Sequence, residues 1–495
     1  MPRDLLIWHV PCRQGETVQN VSSPRPPRVT IAQTLPHTRP LSRRVPMIIG
    51  CALCMELIDS TVVMTALPQM ASDFGAPSIR MNLVVSLYML GAALCVPVSG
   101  WVADRYGPRR LFVIAISLFI ASSLACAASN SLLQLCLARM LQGAAGAMMV
   151  PVGQLILLRW SPREDLLRNL SYLTIPALIG PMLGPPLGGL MVTYWSWHWI
   201  FLINVPIGVV GIVLVLRHVP YYPGVREQGL DVRGLALSAV AMAALVFGFE
   251  ALGHGLLPHL WVTLMIALGV LCGALYIRHA QRCAEPLLDL KLLRIPSYGI
   301  SFWGGNLLRL GTSSLPFLLV LMFQLCFGLS PLHAGLLTLA GGAGAFAMKL
   351  LAVRVVRRYG IRRTLVINAV LTGLTLASCA SFTDATPYSV IVLMLFGSGV
   401  IRSLQYSTLG ALTYADVPAA LSSRASSLSA MTVQLSMSLS VGLMASLLGV
   451  LMNLRGHSVP QTSDVAAMLV LCGLACIASA LIFRRLAAGA GEAVY

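Results

Sequence analysis

Runs of about twenty apolar residues, separated by short polar segments, recur from residue 46 to residue 483. Each is long enough to cross a ~30 Å hydrocarbon core as an α-helix rising 1.5 Å per residue. Fourteen spans are expected, at residues 46–68, 82–102, 111–129, 132–157, 170–193, 199–218, 234–253, 259–277, 298–322, 332–353, 364–382, 387–413, 427–452 and 464–483. Helices follow from the solvent: lipid offers backbone N–H and C=O groups no partner, and an open sheet edge would stay unsatisfied. The chain therefore reads as an all-α polytopic membrane protein with no long soluble domain.

Composition excludes a soluble alternative. Of 495 residues 57% are hydrophobic and 10% charged, with a mean hydropathy of +0.81, against roughly 25% charge in soluble domains. The formal charge of +17 would suit nucleic acid, so the placement of the 34 Lys and Arg decides. With the N-terminus cytoplasmic, 28 fall in segments on that side, and only Arg80 and Arg455 in outer loops. That is the positive-inside asymmetry; it predicts a multi-pass inner-membrane protein with both termini cytoplasmic and leaves no basic folded domain for nucleic acid. Ten of the twelve Cys lie in spans, while Cys12 and Cys283 lie on the reducing side, so no outer-loop disulfide is expected. Cys51 and Cys54 form a CxxC inside an apolar helix and read as packing.

Residues 1–45 carry seven Arg among many Pro, lack the apolar core of a signal peptide, and are expected to form a disordered cytoplasmic tail. Translation from Met1 and from Met47 are both compatible with this. RYGPRRLFVI, beginning at Arg105, returns as RYGIRRTLVI at Arg358, displaced by 253 residues. Both copies follow an outward-to-inward span, so the displacement equals eight helices and indicates a duplication. The expected organisation is a six-helix half at 46–218, two inserted helices with flanking loops at 219–297, a second six-helix half at 298–485, and a short cytoplasmic tail at 486–495.

The first inner loop, GWVADRYGPRR, has the residue types of a gating latch. Gly100 lets helices approach, Asp104 can pair with a base or cap a helix, and Arg109 and Arg110 can bind acidic groups or lipid; Arg105 and Gly107 complete the candidate gating loop. In the second copy Val353 and Arg357 replace the glycine and the acid. Span 5 reads IGPMLGPPLGGLMV: Gly180, Gly184, Gly188 and Gly189 offer small surfaces at helical spacing, and Pro181, Pro185 and Pro186 remove donors and favour a bend.

Ionisable residues within spans are functional candidates because they are costly there. Glu56 and Asp59 stand i,i+3 on one face of span 1, where mutual repulsion and desolvation favour a proton on one of them. Arg139 in span 4 lies at nearly the depth of Asp59, within ~3 Å at 1.5 Å per residue, so the two are expected to pair. Glu250 in span 7, Arg309 in span 9 and Arg402 in span 12 are further intramembrane charges, and Lys349 lies near the inner end of span 10, where it can snorkel. For these four, structural and functional readings stay open.

Several segments carry a resemblance. GWVADRYGPRR resembles the loop signature of the major facilitator superfamily, whose architecture is two repeats about an axis along the membrane normal. The span 5 glycine-proline pattern resembles that superfamily's antiporter motif. WSWHWIFLINVPIG (195–208) is similar to the span 5–6 connection of its fourteen-span drug:proton antiporters, the EmrB/QacA type, with His198 where many members have Arg. LIDSTVVMTALP resembles their span 1 signature around Asp59, departing at Met64, and RMLQGAAGAMMVPVG their intramembrane arginine motif, with Arg139, Gln142 and Gly143 in place. The resemblance implies a major facilitator fold and export of small organic compounds, hydrophobic or cationic, against protons. Asp59 would carry the proton, with Glu56 as alternative, and Arg139 would be its partner. The driving force is the proton gradient with no bound cofactor: there is no Walker A sequence, and the scattered His198, His254 and His259 form no metal site. Expected partners are small-molecule cargo, protons and the lipid bilayer; nothing indicates a protein partner. Neither a Ser/His/Asp set nor HExxH supports an enzyme. Export of one specific metabolite is the alternative reading, and a transport-inactive sensor a more distant one.

Overall fold

The computed structural model describes residues 44–495, except 76–80, 222, 225–228, 255–256, 284–285, 330, 419–420, 458, 488 and 490–495, and except some helix side chains, among them those of Pro181, Pro185, Pro186, Glu250 and His254. The expected basic tail and the C-terminal tail therefore lie almost wholly outside the described residues.

The described chain is helical throughout. In order come α1 (Arg44–Asp73), α2 (Asn82–Cys95), α3 (Ser99–Tyr106), α4 (Pro108–Ala127), α5 (Leu132–Trp160), α6 (Leu166–Tyr194), α7 (His198–Leu202), α8 (Asn204–His218), α9 (Val232–His254), α10 (His259–Arg282), α11 (Pro296–Thr312), α12 (Leu315–Val320), α13 (Pro331–Tyr359), α14 (Ile361–Ser378), α15 (Tyr388–Ala415), α16 (Ser422–Arg455) and α17 (Thr462–Phe483). Among the described residues, twelve helical stretches are long and apolar enough to cross a bilayer, and α2 with α3, bent by 55° where Pro97 interrupts the ladder, makes a thirteenth. The 29-residue α6 has crossing length as well, so the architecture is compatible with fourteen spans.

Helix boundaries have local causes. Ser131, extended at φ −148°, accepts from Gln134 N–H to cap α5, and Gln461 and Asp464 form a reciprocal capping box at α17. Gly107 (φ 86°) and Gly360 (φ 75°) occupy corresponding places in the two decapeptides, each reversing the chain into the next helix from a backbone conformation that favours glycine. The loops holding these glycines, each followed by two arginines, form the basic face.

The duplication extends to packing. α2 and α5 meet backbone to backbone: a Cβ on Gly91 would stand 2.0 Å from Met140 O, and one on Gly143 2.0 Å from Tyr88 O. α13 and α15 repeat the crossing with Gly344 against Phe396 O and Gly399 against Gly341 O. Gly91 and Gly344 are displaced by the same 253 residues as the decapeptides, and Gly143 and Gly399 by 256. Small residues permit such contact where no hydrophobic driving force exists between helices in lipid. α9 packs on α10, α16 and α2. The α10 window is only 17% buried against 67% for α5, so α10 is peripheral and α5 central.

Candidate functional site

Asp59 in α1 is buried, and its carboxylate is fully engaged. Arg139 Nη1 donates to Oδ2 at 2.5 Å, Gln142 Nε2 to Oδ1 at 3.0 Å, and Asn204 Nδ2 to Oδ1 at 2.8 Å. Arg139 also donates to Gln142 Oε1 at 2.7 Å, and Ser123 Oγ accepts from Gln142 at 2.7 Å and from Asn204 at 3.2 Å. The guanidinium lies 4.3 Å from the Tyr88 ring centroid and 5.8 Å from that of Phe201. Residues of α5 and α8 thus bind the α1 carboxylate directly, with Ser123 of α4 holding Gln142 and Asn204, and charge-assisted bonds such as that from Arg139 are the strong ones.

Glu56 differs sharply from Asp59 although it lies one turn away on the same helix. Its Oε2 is buried without a hydrogen-bond partner, as is the Tyr88 hydroxyl, and both side chains lean on Gly146, where a Cβ would stand 2.9 Å from Tyr88 Oη and 3.3 Å from Glu56 Oε1. A proton on Asp59 competes with three donors, one of them cationic; one on Glu56 Oε2 competes with none.

The loop residues join the two halves at the basic face. Asp104 is paired with Arg159 and accepts from the Ser423 hydroxyl across the molecule. Ser99 and Ser427 are 3.1 Å apart, and a Cβ on Gly100 would stand 2.8 Å from Ser423 O, so only glycine lets α3 lie this close to α16. Gln154 Oε1 accepts from Tyr414 at 3.0 Å and Pro151 O from Ser426 at 2.7 Å, adding α5 to the same seam. Arg109 donates to Leu216 O, the Arg110 guanidinium lies 5.0 Å from the Tyr221 ring, and that of Arg105 5.3 Å from the Trp101 ring. Among the described residues, hydrogen bonds between the halves gather at this end, so this conformer is closed at the basic face.

In α6, Gly180, Gly184 and Gly188 form a stripe against α1: Cβ atoms there would stand 2.9 Å from Leu57 Cβ, 2.0 Å from Thr61 Oγ1 and 2.1 Å from Thr65 Oγ1. Gly189 has nothing within 4 Å and stands apart from the stripe. The side chains of Pro181, Pro185 and Glu250 lie outside the described residues. Lys349 does not snorkel; it is buried and donates to Ser407 Oγ at 2.6 Å. Arg309 lies over the Tyr406 ring at 6.0 Å, and Arg402 Nε is buried without a partner. Sequence reasoning passed over Asn204, Ser123 and Tyr88; the signal for Asn204 was a single amide in the apolar run WIFLINVPIG. The buried Trp197 donates through Nε1 to Asp73 at 2.7 Å and stacks on His198 at 3.7 Å, whereas Trp195 and Trp199 are exposed, as in an interfacial belt.

The family model for the Major Facilitator Superfamily matches residues 49–441. The chain is 41% identical over 405 residues to MdtD of Escherichia coli O6:H1 (strain CFT073), a protein named for multidrug resistance, covering 81% of this chain and 85% of that one. It is 39% identical over 443 residues to MdtD of Escherichia coli O157:H7, covering 88% and 93%. Among solved structures it resembles the human organic anion transporter MFSD10 (TM-score 0.65, 14% identity, 90% of this chain and 100% of that one) and the proton:xylose symporter XylE (TM-score 0.59, 14% identity, 90% and 96%). With a family match over most of its length and multidrug-resistance relatives at this identity, the chain belongs to the major facilitator superfamily of membrane transporters.

Proposed function

We propose that the protein exports small organic compounds in exchange for protons, by alternating access of a site between its two halves. The observation that carries this reading is the unequal pair of carboxyls in α1: Asp59 is buried and held by Arg139, Gln142 and Asn204, whereas Glu56, on the same face, has a buried oxygen with no partner. A buried group that can gain a proton without displacing a donor is what proton coupling needs. The sequence signature favours Asp59 as carrier; the geometry favours Glu56 as carrier, with Asp59 and Arg139 fixing α1 against α5.

The latch of Gly100, Asp104, Arg105, Gly107, Arg109 and Arg110 holds the basic face shut, and the Gly180–Gly184–Gly188 stripe keeps α6 close enough to α1 to move with it. With the basic face cytoplasmic, as the charge asymmetry indicates, this conformer faces outward, where a proton enters and cargo leaves. Energy comes from the proton gradient without a bound cofactor, and the partners are cargo, protons and lipid. The family resemblance favours hydrophobic or cationic cargo and multidrug efflux; a single metabolite is the other reading.

The test is cargo-dependent proton flux in proteoliposomes carrying an internal pH dye. Glu56→Gln is expected to abolish proton flux while leaving cargo exchange across the membrane in place. Proton flux that survives Glu56→Gln and disappears in Asp59→Asn would move the carrier to Asp59; survival in both would refute carboxyl coupling in α1.

A further inference from the structure

Where the two inserted helices reach the basic face, three side chains with metal-binding atoms come together. Asp231 immediately precedes α9, His279 lies in the last turn of α10, and Cys283 is the C-cap of that helix. A carboxylate oxygen, an imidazole nitrogen and the thiol sulfur all lie within 4.8 Å of one another. His279 and Cys283 are four residues apart, the spacing that sets two ligands on one face of a helix. Cys283 N–H still bonds to His279 O at 2.9 Å, so the helical path holds between them. Asp231 comes from the other arm of the hairpin, 48 positions from His279.

The carboxylate is fixed independently of the histidine. Gly234 N–H donates to Asp231 Oδ1 at 2.8 Å and Leu287 N–H to Oδ2 at 3.4 Å, while His279 Nε2 lies 2.8 Å from Oδ1. Outer bonds of this kind orient a ligating carboxylate and leave it lone pairs to offer. The Asp231 side chain is 8% exposed and that of His279 25%, so the cluster is sheltered on the protein side and reachable from solvent. Arg233, Arg278 and Arg282, the cations nearest in sequence, are all exposed, where solvent and salt screen their charge.

A tetrahedral ion bonded at the usual zinc distances holds its oxygen, nitrogen and sulfur ligands about 3.3–3.6 Å apart. The 2.8 Å between His279 and Asp231 must therefore open slightly and the thiol close in, which rotation of the two side chains of α10 supplies. One oxygen, one nitrogen and one sulfur select a borderline transition-metal ion, since Mg2+ and Ca2+ take oxygen ligands. On binding, the Cys283 thiol gives its proton to solvent and coordinates as thiolate. Neutral His279 carries its proton on Nδ1 and turns the Nε2 lone pair to the ion, and water takes the fourth position.

We infer that Asp231, His279 and Cys283 form a binding site for a divalent ion of the zinc class, which ties the base of the inserted hairpin to the latch. Asp231 borders a small cavity together with Gly100, Trp101 and Asp104 of α3 and Arg424 of α16. The segment leaving α10 is pinned beside it: Leu287 donates to Asp231, Leu288 exchanges hydrogen bonds of 2.7 and 2.9 Å with the Tyr276 hydroxyl, and Asp289 lies 3.7 Å from Arg424. Opening the basic face parts Asp104 from Ser423, and with them the walls of this cavity. An ion on Asp231 holds those walls together, so it favours the closed conformer and slows opening. The site stands apart from the export reading, because none of its three residues belongs to the latch or to the carboxyl pair of α1.

The experiment uses the full chain in detergent, with any purification tag removed and Co2+ and Zn2+ as probes. Co2+ is expected to bind with a thiolate-to-metal absorption band that Zn2+ displaces and an excess of Mg2+ leaves in place. Cys283→Ser is expected to lose the band, and His279→Gln and Asp231→Asn to weaken Co2+ binding by roughly tenfold or more, with every variant eluting as wild type does. Bound Zn2+ is expected to slow amide hydrogen exchange in α3 and in the first turn of α16 of the wild type and to leave Cys283→Ser unchanged. Co2+ bound without the band, or bound equally by wild type, Cys283→Ser and His279→Gln, is an adventitious ion only and overturns the site. Exchange in α3 that bound Zn2+ does not alter overturns the tie to the latch.

Discussion

Removing Arg139 tests whether Asp59 is a structural anchor. In Arg139→Met the carboxylate keeps neutral donors from Gln142 at 3.0 Å and Asn204 at 2.8 Å but loses the guanidinium at 2.5 Å, and Gln142 loses its own donor at 2.7 Å. Breaking a buried pair by deleting one partner costs about 3–5 kcal/mol, because the surviving charge stays buried. In Asp59→Asn/Arg139→Gln neither charge survives, and what is lost is a few interhelical hydrogen bonds of about 0.6 kcal/mol each. The double variant is therefore expected to be more stable than Arg139→Met by about 2 kcal/mol. The assay is the unfolding midpoint in mixed micelles titrated with SDS, read by tryptophan fluorescence. Arg139→Met within about 0.5 kcal/mol of wild type, or a double variant less stable than the single, would refute the anchor.

Two further predictions concern packing and acid stability. Gly143→Ala puts a Cβ 2.0 Å from Tyr88 O, a backbone atom that cannot turn aside, so α2 and α5 must separate; Gly189→Ala meets nothing within 4 Å. The first is expected to lose about 1–3 kcal/mol and most transport, the second to match wild type in thermal midpoint and flux, and equal behaviour would show the glycine contact to be dispensable. Asp231, just before α9, is pushed up by burial, but hydrogen bonds from Gly234 N–H, from His279 and from Leu287 N–H outweigh this and hold its carboxyl below the usual range. A depressed folded pKa contributes stability that is present above the unfolded value, about 3.9, and is lost as pH falls through the folded value. The gap in thermal midpoint between wild type and Asp231→Asn should be constant from pH 6 to about 4 and close below that; a gap that widens on acidification would contradict the assignment.

What the sequence made legible follows from what lipid forces. Every expected span overlaps a helix or a broken run of helices, because a backbone without water has no other solution. Asp59 and Arg139 could be matched in depth because each lies a countable number of residues from a helix end. Rotation about the helix axis is not countable in the same way, and the misplacements were of that kind. Gly188 and Gly189 are equivalent in composition, yet one lies against Thr65 and the other against nothing. Lys349 is close enough to a helix end to snorkel, yet its face of α13 turns to Ser407. Asn204, 145 positions from Asp59, is an ordinary amide until α8 turns it inward. The imbalance of charge in the second half is a different case: three cations and no acid within its spans can be counted from the sequence, but a count is compatible with three separate residues, each at its own lipid or helix contact. The structure adds what a count lacks, the company each keeps: Arg309 lies over the Tyr406 ring, Lys349 donates to Ser407, and Arg402 Nε is buried without a partner.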